Sequence, residues 1–180
     1  MTGVQTCALP IFFNLGADEI DIAPGAFVVY QGSHGDRGAH RADVILPGAA
    51  YTEKPGLYVN TEGRVQAGRR AAFPPGDARE DWAILRALSD ALGKRLPFDS
   101  LQQLRAELFK AHPHFAIAGA IKAGDIADLA RLASSGAAAN KAPFANAIAD
   151  FYLTNPIARA SAVMAECSKL AQARLAVAAE

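Results

Sequence analysis

The residues best suited to chemistry lie in one loop, Gln31–Arg41, directly after an apolar run that ends at Tyr30. Glycines recur in it at every third position, Gly32, Gly35 and Gly38. That spacing permits tight backbone turns and leaves N–H groups open to a ligand. Because open α/β sheets bind ligands beyond the carboxyl ends of their strands, this loop is the first candidate for a binding site.

Three interpretations of the loop compete. As a phosphate cradle it lacks the G-x-G-x-x-G spacing, and no long amphipathic helix begins right after its last glycine. As a metal site it offers side chains of the right types but nothing that fixes their geometry: His34, Asp36, His40 and Asp43. The structural alternative is a surface or interface loop whose glycines adopt special backbone angles, and the pattern favours it.

Other reactive side chains give little support for catalysis. Glu53, Lys54, Glu62 and Arg64 stand beside turns with no nucleophile or His nearby in sequence, so we expect them to be solvated or paired. The two cysteines, Cys7 and Cys167, lie far apart and form no CxxC motif. This excludes a disulfide scaffold, and a zinc or iron–sulfur site made by this chain alone, and indicates a reducing compartment.

Short strands must position the loop. The runs Phe27–Tyr30 and Val44–Leu46 are almost wholly apolar and are bounded by Gly and Pro, which is typical of strands buried on both faces of a parallel sheet. Phe12–Leu15 predicts a neighbouring strand. Further on, two more apolar runs flank Asn60-Thr61-Glu62-Gly63. That connection predicts a hairpin on a type I turn with Gly63 in the left-handed conformation.

Helices follow in the second half. Asp77 with Glu80 three residues later predicts a capped helix that stops at Gly93. Ser100 predicts the cap of a second helix, which ends near His112. A short helix is expected over Asp125–Ala133, with a linker over Ser134–Ala142.

The end of the chain predicts one final helix. Thr154 or Asn155 would cap it, and Pro156 falls in its first turn. Its stripe of mostly small residues recurs at helical spacing: Ile157, Ala160, Met164, Cys167, Ala171 and Leu175.

Composition excludes several classes of protein. The chain has 180 residues, 51% of them hydrophobic, enough for one core and a small appendage. Lys plus Arg number 18 and so do Asp plus Glu, so no overall field favours nucleic acid. No apolar run approaches the roughly 20 residues that span a bilayer, so we expect no direct membrane insertion.

The first eleven residues, Met1–Ile11, resemble the translation of a sequencing-adapter oligonucleotide rather than protein. They lack the basic start, the apolar length and the cleavage site of a signal peptide. We therefore expect them to be an artefact and the chain to be a C-terminal fragment of a longer protein.

Motifs in a fixed order carry a resemblance to a known family. They are Val29-Tyr30-Gln31-Gly32, His34-Gly35-Asp36, Gly38-Ala39, Ala42–Lys54, Tyr58–Arg64, Pro75-Gly76, Ala78–Trp82 and Arg86–Ser89, then Asp150–Ser161, Met164-Ala165 and Cys167. Together they resemble the large iron–sulfur subunit of respiratory complex I, NADH:quinone oxidoreductase. The resemblance runs from Phe12 onward and is weakest over 116–149.

The resemblance implies an α/β fold. We expect a partial parallel sheet, part of a molybdopterin-oxidoreductase-like domain, with a β-hairpin, flanking helices and a C-terminal helix. The expected domains are the artefact at 1–11, the α/β portion at 12–115, an Ala/Gly-rich helix and linker at 116–149, and the C-terminal helix at 150–180. A partial sheet would expose apolar edges, so we expect the chain made alone to aggregate.

The resemblance also implies a function. The chain would be a non-catalytic structural part of that subunit, which belongs to a complex that transfers electrons from NADH to quinone coupled to proton translocation. Iron–sulfur clusters are expected upstream in the parent subunit, with no cofactor or metal in this chain. Its partners would be other peripheral-arm subunits and not nucleic acid. Its place would be the cytoplasmic or mitochondrial matrix face of the inner membrane, peripheral through the complex.

An alternative remains open, the C-terminal part of an active molybdopterin-dependent oxidoreductase such as a formate dehydrogenase. Gln31–Arg41 and Asn60–Arg64 would then face the pterin. In a protein that has lost the cofactor, the same loops would line a vestigial pocket, with the candidates Gly32, His34, Gly35, Asp36, Asn60, Glu62 and Arg64.

Overall fold

The computed structural model describes residues 10–17, 19–121, 123–133, 141–144 and 148–178. Most of the predicted artefact at 1–11 and most of the predicted linker Ser134–Ala142 lie outside these ranges, as does Cys7. The described part contains a three-stranded sheet, a hairpin and six α-helices.

Three parallel strands form the sheet, in the spatial order β1 (Ile11–Leu15), β2 (Phe27–Gly32) and β3 (Val44–Pro47). Phe13 pairs with Val29, and Val29 pairs on its other side with Val44. The prediction that the first two strands are neighbours in the sheet is therefore confirmed. β2 is the central strand, and its Val28 and Tyr30 side chains are buried. Phe27 at its start is 43% exposed, so the predicted burial on both faces holds only in part for this run.

The prediction that β3 is buried on both faces is wrong. Val44 is 38% exposed and Ile45 is 53% exposed. β3 is an edge strand of the described sheet, and Pro47 at its end cannot donate to a further ladder. An apolar run of this kind does not reveal from sequence alone what covers it.

A separate hairpin pairs β4 (Gly56–Val59) with β5 (Val65–Gly68) in antiparallel fashion. The Gly63 N–H donates to the Asn60 carbonyl at 2.9 Å, and Gly63 has φ of +83°. Both facts confirm the predicted type I turn with its left-handed glycine. The Gly119 N–H donates to the Val65 carbonyl at 2.7 Å, so a later segment lies along the hairpin.

Helix α2 (Asp81–Ala91) has Glu80 at its N-cap position, three residues after the cap predicted at Asp77. The Arg79 N–H donates to the Pro47 carbonyl at 3.1 Å, and the Ala49 N–H donates to the Arg79 carbonyl at 2.7 Å. These bonds hold the chain before α2 extended against the end of β3, so the helix cannot start there. Its predicted stop at Gly93, with φ of +68°, is confirmed.

Two further helices follow the predicted pattern. The Ser100 hydroxyl caps α3 (Leu101–Ala111) by accepting from the Gln103 N–H at 3.2 Å. A 3-10 turn over Pro113–Ala116 comes next, and then α4 (Ile126–Ala133). Helix α3 begins directly after its predicted cap, and α4 begins one residue after the predicted start at Asp125.

The expected single final helix is two helices, α5 (Pro156–Ala160) and α6 (Ala162–Ala178). Asn155 caps α5 as predicted, with its side chain accepting from the Ala158 N–H at 2.9 Å. Ser161 then adopts an extended ψ of 119°, and its hydroxyl accepts from the Met164 N–H at 3.3 Å. A serine that caps the next turn breaks the stripe that sequence spacing suggested.

The described residues bury little apolar surface. Four hydrophobic residues are buried, Val28, Tyr30, Ala49 and Val65, whereas many large ones are exposed on β1, β3, α4 and α6. Of the helices in the described ranges, none has the length and apolar content to cross a bilayer. The apolar faces left open on β1 and β3 are the feature that the partial-sheet prediction required.

Candidate functional site

The loop after β2 is organised by Tyr30. Its hydroxyl donates to the His34 carbonyl at 3.1 Å, and the ring lies where a side chain on Gly32 would have to go. Tyr30 is 2% exposed and cannot swing aside. Gly32 is therefore required by the chain's own packing, while Gly35 has open space around the position of a side chain. The regular glycine spacing therefore does not reflect one common packing requirement.

The four potential metal ligands do not converge. Asp43 accepts from the Val28 N–H at 2.7 Å, and His34 Nδ1 lies 2.8 Å from the hydroxyl of its neighbour Ser33. His40 is exposed, and Asp36 binds elsewhere. In the ranges that the structure describes, no three His, Cys, Asp or Glu side chains are placed to hold a metal ion.

Asp36 binds Arg159 of α5. Arg159 Nε donates to Asp36 Oδ2 at 2.5 Å, and Nη1 donates to Glu19 Oε1 at 2.7 Å and to the Leu153 carbonyl at 3.0 Å. Burial alone would raise the pKa of the Asp36 carboxyl, but the hydrogen bond from Arg159, the Arg37 N–H and the charges of both arginines outweigh it and hold that pKa below its usual value.

The other candidates belong to the hairpin turn. Asn60 Oδ1 accepts from the N–H groups of Glu62 at 3.1 Å and Arg64 at 2.9 Å. Arg64 Nη1 donates to the Gly119 carbonyl at 2.7 Å, and Nη2 lies 3.6 Å from Glu62. All three side chains make contacts that hold the turn and the segment beside it.

The loop and the hairpin each border a cavity, although His34 is the one candidate residue that lines either of them. One, of about 800 Å³, lies between the loop and the end of the chain and is lined by Ser33, His34, Ala49, Tyr51, Lys54, Tyr58, Asn155–Ala158, Ser161 and Met164. The other, of about 790 Å³, touches the hairpin at Val59 and Gly63 and is otherwise lined by residues from His114 to Asp128. Neither of these two cavities is lined by both the loop and the hairpin turn.

A polar cluster that sequence reasoning missed lies under the first cavity. Gln31 is 1% exposed, and its Nε2 donates to Asp81 Oδ1 at 2.9 Å. Lys54 forms an ion pair with the other oxygen of Asp81. A Cβ on Gly48 would lie 3.1 Å from Asp81 Oδ1, so the glycine leaves room for this carboxylate.

This cluster and the neighbouring Glu53 act structurally. Glu53 Oε2 accepts from the Ala50 N–H at 2.9 Å and so caps its own turn. Lys54 is one of the charged residues that the sequence suggested would be paired, and it is. The sequence did not indicate that Asp81 is the partner of Lys54. No sequence signal links Arg159 to Asp36 across 123 positions.

A molybdopterin does not fit the residues present. The alternative hypothesis needs Gln31–Arg41 and Asn60–Arg64 on one surface, but they border separate cavities. Gln31 is enclosed by protein, and Asp36 is bound by Arg159. The arrangement is suited to holding chain segments together.

Two family models match the chain. The model of molybdopterin oxidoreductase covers residues 2–91. The model of the C-terminal domain of the NADH-ubiquinone oxidoreductase G subunit covers residues 116–167.

Curated relatives match most of the chain. The mitochondrial NADH-ubiquinone oxidoreductase 78 kDa subunit of Neurospora crassa is 50% identical over 161 residues, which are 86% of this chain and 22% of the relative. The 78 kDa subunit of Candida albicans is 52% identical over 165 residues, which cover 86% of this chain and 23% of the relative. The 75 kDa subunit of Reclinomonas americana is 49% identical over 160 residues, which cover 88% of this chain and 23% of the relative. The chain thus spans less than a quarter of the length of these relatives.

Among solved structures, acetylene hydratase from Pelobacter acetylenicus is similar with a TM-score of 0.40 and 24% sequence identity. The similar region covers 47% of this chain and 13% of that one.

Proposed function

The chain belongs to the molybdopterin oxidoreductase family, and from that premise we propose that it is a non-catalytic structural part of the large iron–sulfur subunit of NADH:quinone oxidoreductase. About 50% identity to the 78 kDa and 75 kDa subunits supports this over the greater part of the chain. The match of residues 116–167 to a C-terminal domain of NADH-ubiquinone oxidoreductase supports the same parent.

One observation carries the structural role. Three of the charged or polar candidates are already used within the chain: Asp36 by Arg159, Asn60 by the backbone of its own turn, and Arg64 by Gly119. A site that binds substrate or cofactor keeps such groups available or lets them converge on one cavity. The alternative of an active molybdopterin-dependent oxidoreductase has no such convergence to support it.

The proposals about cofactors, partners and location depend on the identity of the parent subunit. We propose that its iron–sulfur clusters lie upstream of this chain, that its partners are other peripheral-arm subunits, and that it is peripheral on the matrix or cytoplasmic face of the inner membrane. The names of the relatives support a place in NADH-ubiquinone oxidoreductase. The division at residues 11, 115 and 149 is likewise a proposal.

The test uses the parent subunit within the complex. Asn60→Ala removes the acceptor that holds the hairpin turn, and Thr61→Ala beside it is the control, because Thr61 is exposed. We expect Asn60→Ala to lower the amount of assembled complex on native gels while NADH oxidation per assembled complex stays at the control level.

Two outcomes would contradict the proposal. One is a normal amount of complex with a reduced rate per complex, which would make the turn part of the chemistry. The other is a pterin released in stoichiometric amount from the purified complex after denaturation and iodine oxidation, which would favour the molybdopterin-dependent alternative.

A further inference from the structure

The end of the chain lies over the place where a doubly wound sheet would bind its ligand. Residues 150–178, here called the C-terminal unit, comprise a 3-10 turn at Phe151–Leu153, α5 and α6. Asn155, Ile157 and Met164 of this unit form one wall of the cavity whose opposite wall is the loop after β2. The unit therefore faces the carboxyl end of the central strand.

Arg159 joins the two walls. It is 13% exposed, and its two ion pairs reach Asp36 and Glu19, which lie 123 and 140 positions earlier in the chain. Different nitrogens of one guanidinium serve the two carboxylates, and Nη1 also holds the Leu153 carbonyl of its own unit. A planar fork with several fixed donors reaches such separated partners at once, whereas an ammonium group holds its three donors at a single point.

Asp36 links this contact to the start of the short helix α1 (Arg37–His40). It stands at the N-cap position of α1, where its side chain makes no capping bond, but its carboxylate accepts from the N–H of Arg37. The same carboxylate accepts from Arg159 and is 17% exposed. One side chain therefore joins the loop after β2 to the C-terminal unit.

We propose that the crevice at the carboxyl end of β2 is a docking site for the chain's own C-terminal unit, and that Arg159 is the residue that positions the unit there. The proposal goes beyond the structural role given above, because it names the occupant of the crevice and the contact that holds it. It would stand even if the parent were an active oxidoreductase.

Hydrogen exchange on the full chain, fused to a soluble carrier, tests the docking. The His40 and Ala39 N–H groups bond to the Asp36 carbonyl and report on the loop. We expect Arg159→Ala to speed exchange over 33–41 and 150–160 by about tenfold, the size expected for losing a charge-assisted hydrogen bond. Arg174→Ala, an exposed arginine on α6, should leave both segments unchanged.

A double-mutant cycle separates positioning from general destabilisation. If Asp36 acts through Arg159, Asp36→Ala combined with Arg159→Ala should speed exchange no more than Arg159→Ala alone, and Arg159→Lys should restore part of the protection. Independent, multiplying effects would overturn the proposal, and so would unchanged exchange in Arg159→Ala.

A second measurement covers the case in which Arg159→Ala fails to fold. In Arg159→Lys, a carbodiimide that couples amines directly to carboxylates should link the peptide containing position 159 to a peptide containing Asp36 or Glu19. Absence of both links in the folded variant would contradict the docking. Neither result depends on the function of the parent complex, so the two proposals fail separately.

Discussion

Arg86 on α2 donates two hydrogen bonds to one carboxylate oxygen, Asp99 Oδ1, from Nε at 3.0 Å and Nη2 at 2.7 Å. Its Nε also lies 2.8 Å from the Phe98 carbonyl, and Nη1 lies 2.6 Å from Asp90 on its own helix. Arg86 is 7% exposed. This one side chain ties α2 to the start of α3.

Arg86→Met should therefore separate the two helices. We expect a lower thermal midpoint by circular dichroism and faster amide exchange in α3, because the Asp99 carboxylate and the Phe98 carbonyl each lose the donor that comes from α2. Arg95→Met is the matched control, since Arg95 also binds Asp99 but is 63% exposed, where an ion pair contributes little. If Arg86→Met lowered the thermal midpoint no more than Arg95→Met, the special role of Arg86 between α2 and α3 would be contradicted.

Gly32 and Gly35 should respond oppositely to the same substitution. Gly32→Ala drives a methyl group into the enclosed Tyr30 ring, which should cost about 1–3 kcal/mol of unfolding free energy. Gly35→Ala meets open space and should change it by less than about 0.5 kcal/mol. Urea unfolding followed by fluorescence measures both, because Trp82 is the only tryptophan. If the loop cradled a phosphate instead, neither substitution would change the unfolding free energy much, and each would abolish ligand binding.

Acid should weaken the contact between Asp150 and α6. The Ser168 hydroxyl, which donates to Asp150, lowers the pKa of that carboxyl, burial opposes the shift, and the N–H groups of Tyr152 and Leu153 lower the pKa further. Because the pKa is lower in the folded chain than its usual 3.8, the carboxylate stabilises the fold above that pH and the contribution is lost as pH falls below it.

Removing the hydroxyl should show this dependence directly. Ser168→Ala should lower the unfolding midpoint most at neutral pH, and the difference from the natural residue should shrink as pH falls below about 4. Gln172→Ala, which removes a longer contact to the same carboxylate at 3.5 Å, is the control and should have a smaller effect. A difference between Ser168→Ala and the natural residue that is constant with pH would assign the loss to packing alone.

The open edge of the sheet should cause self-association. We expect the untagged chain to sediment as oligomers, and Ile45→Lys on β3 to reduce their size, because a lysine on an edge strand opposes further pairing. Leu92→Lys removes an even more exposed apolar side chain beyond the end of α2 and should do less. A monomeric, cooperatively melting chain would contradict the prediction.

Local chemistry made part of this structure predictable. The left-handed Gly63, the Ser100 cap and the Asn155 cap each depend on residues within four positions, and all three are confirmed. The cap predicted at Asp77 gives the wrong start of α2 because the Arg79 backbone pairs with Pro47, more than thirty positions away. The contact of Arg159 with Asp36 could not be predicted for the same reason, since it leaves no local sequence pattern.

The distance between those two residues along the chain also sets an order of events during synthesis. β1, β2 and β3 pair with their neighbours in sequence, so the sheet can form while translation continues. Arg159 is made 123 residues after Asp36, about 6 to 25 seconds later at roughly 5–20 residues per second. During that interval Asp36 and Glu19 are without the guanidinium that pairs them in the finished chain, and the crevice beside β2 stays open until the C-terminal unit is made.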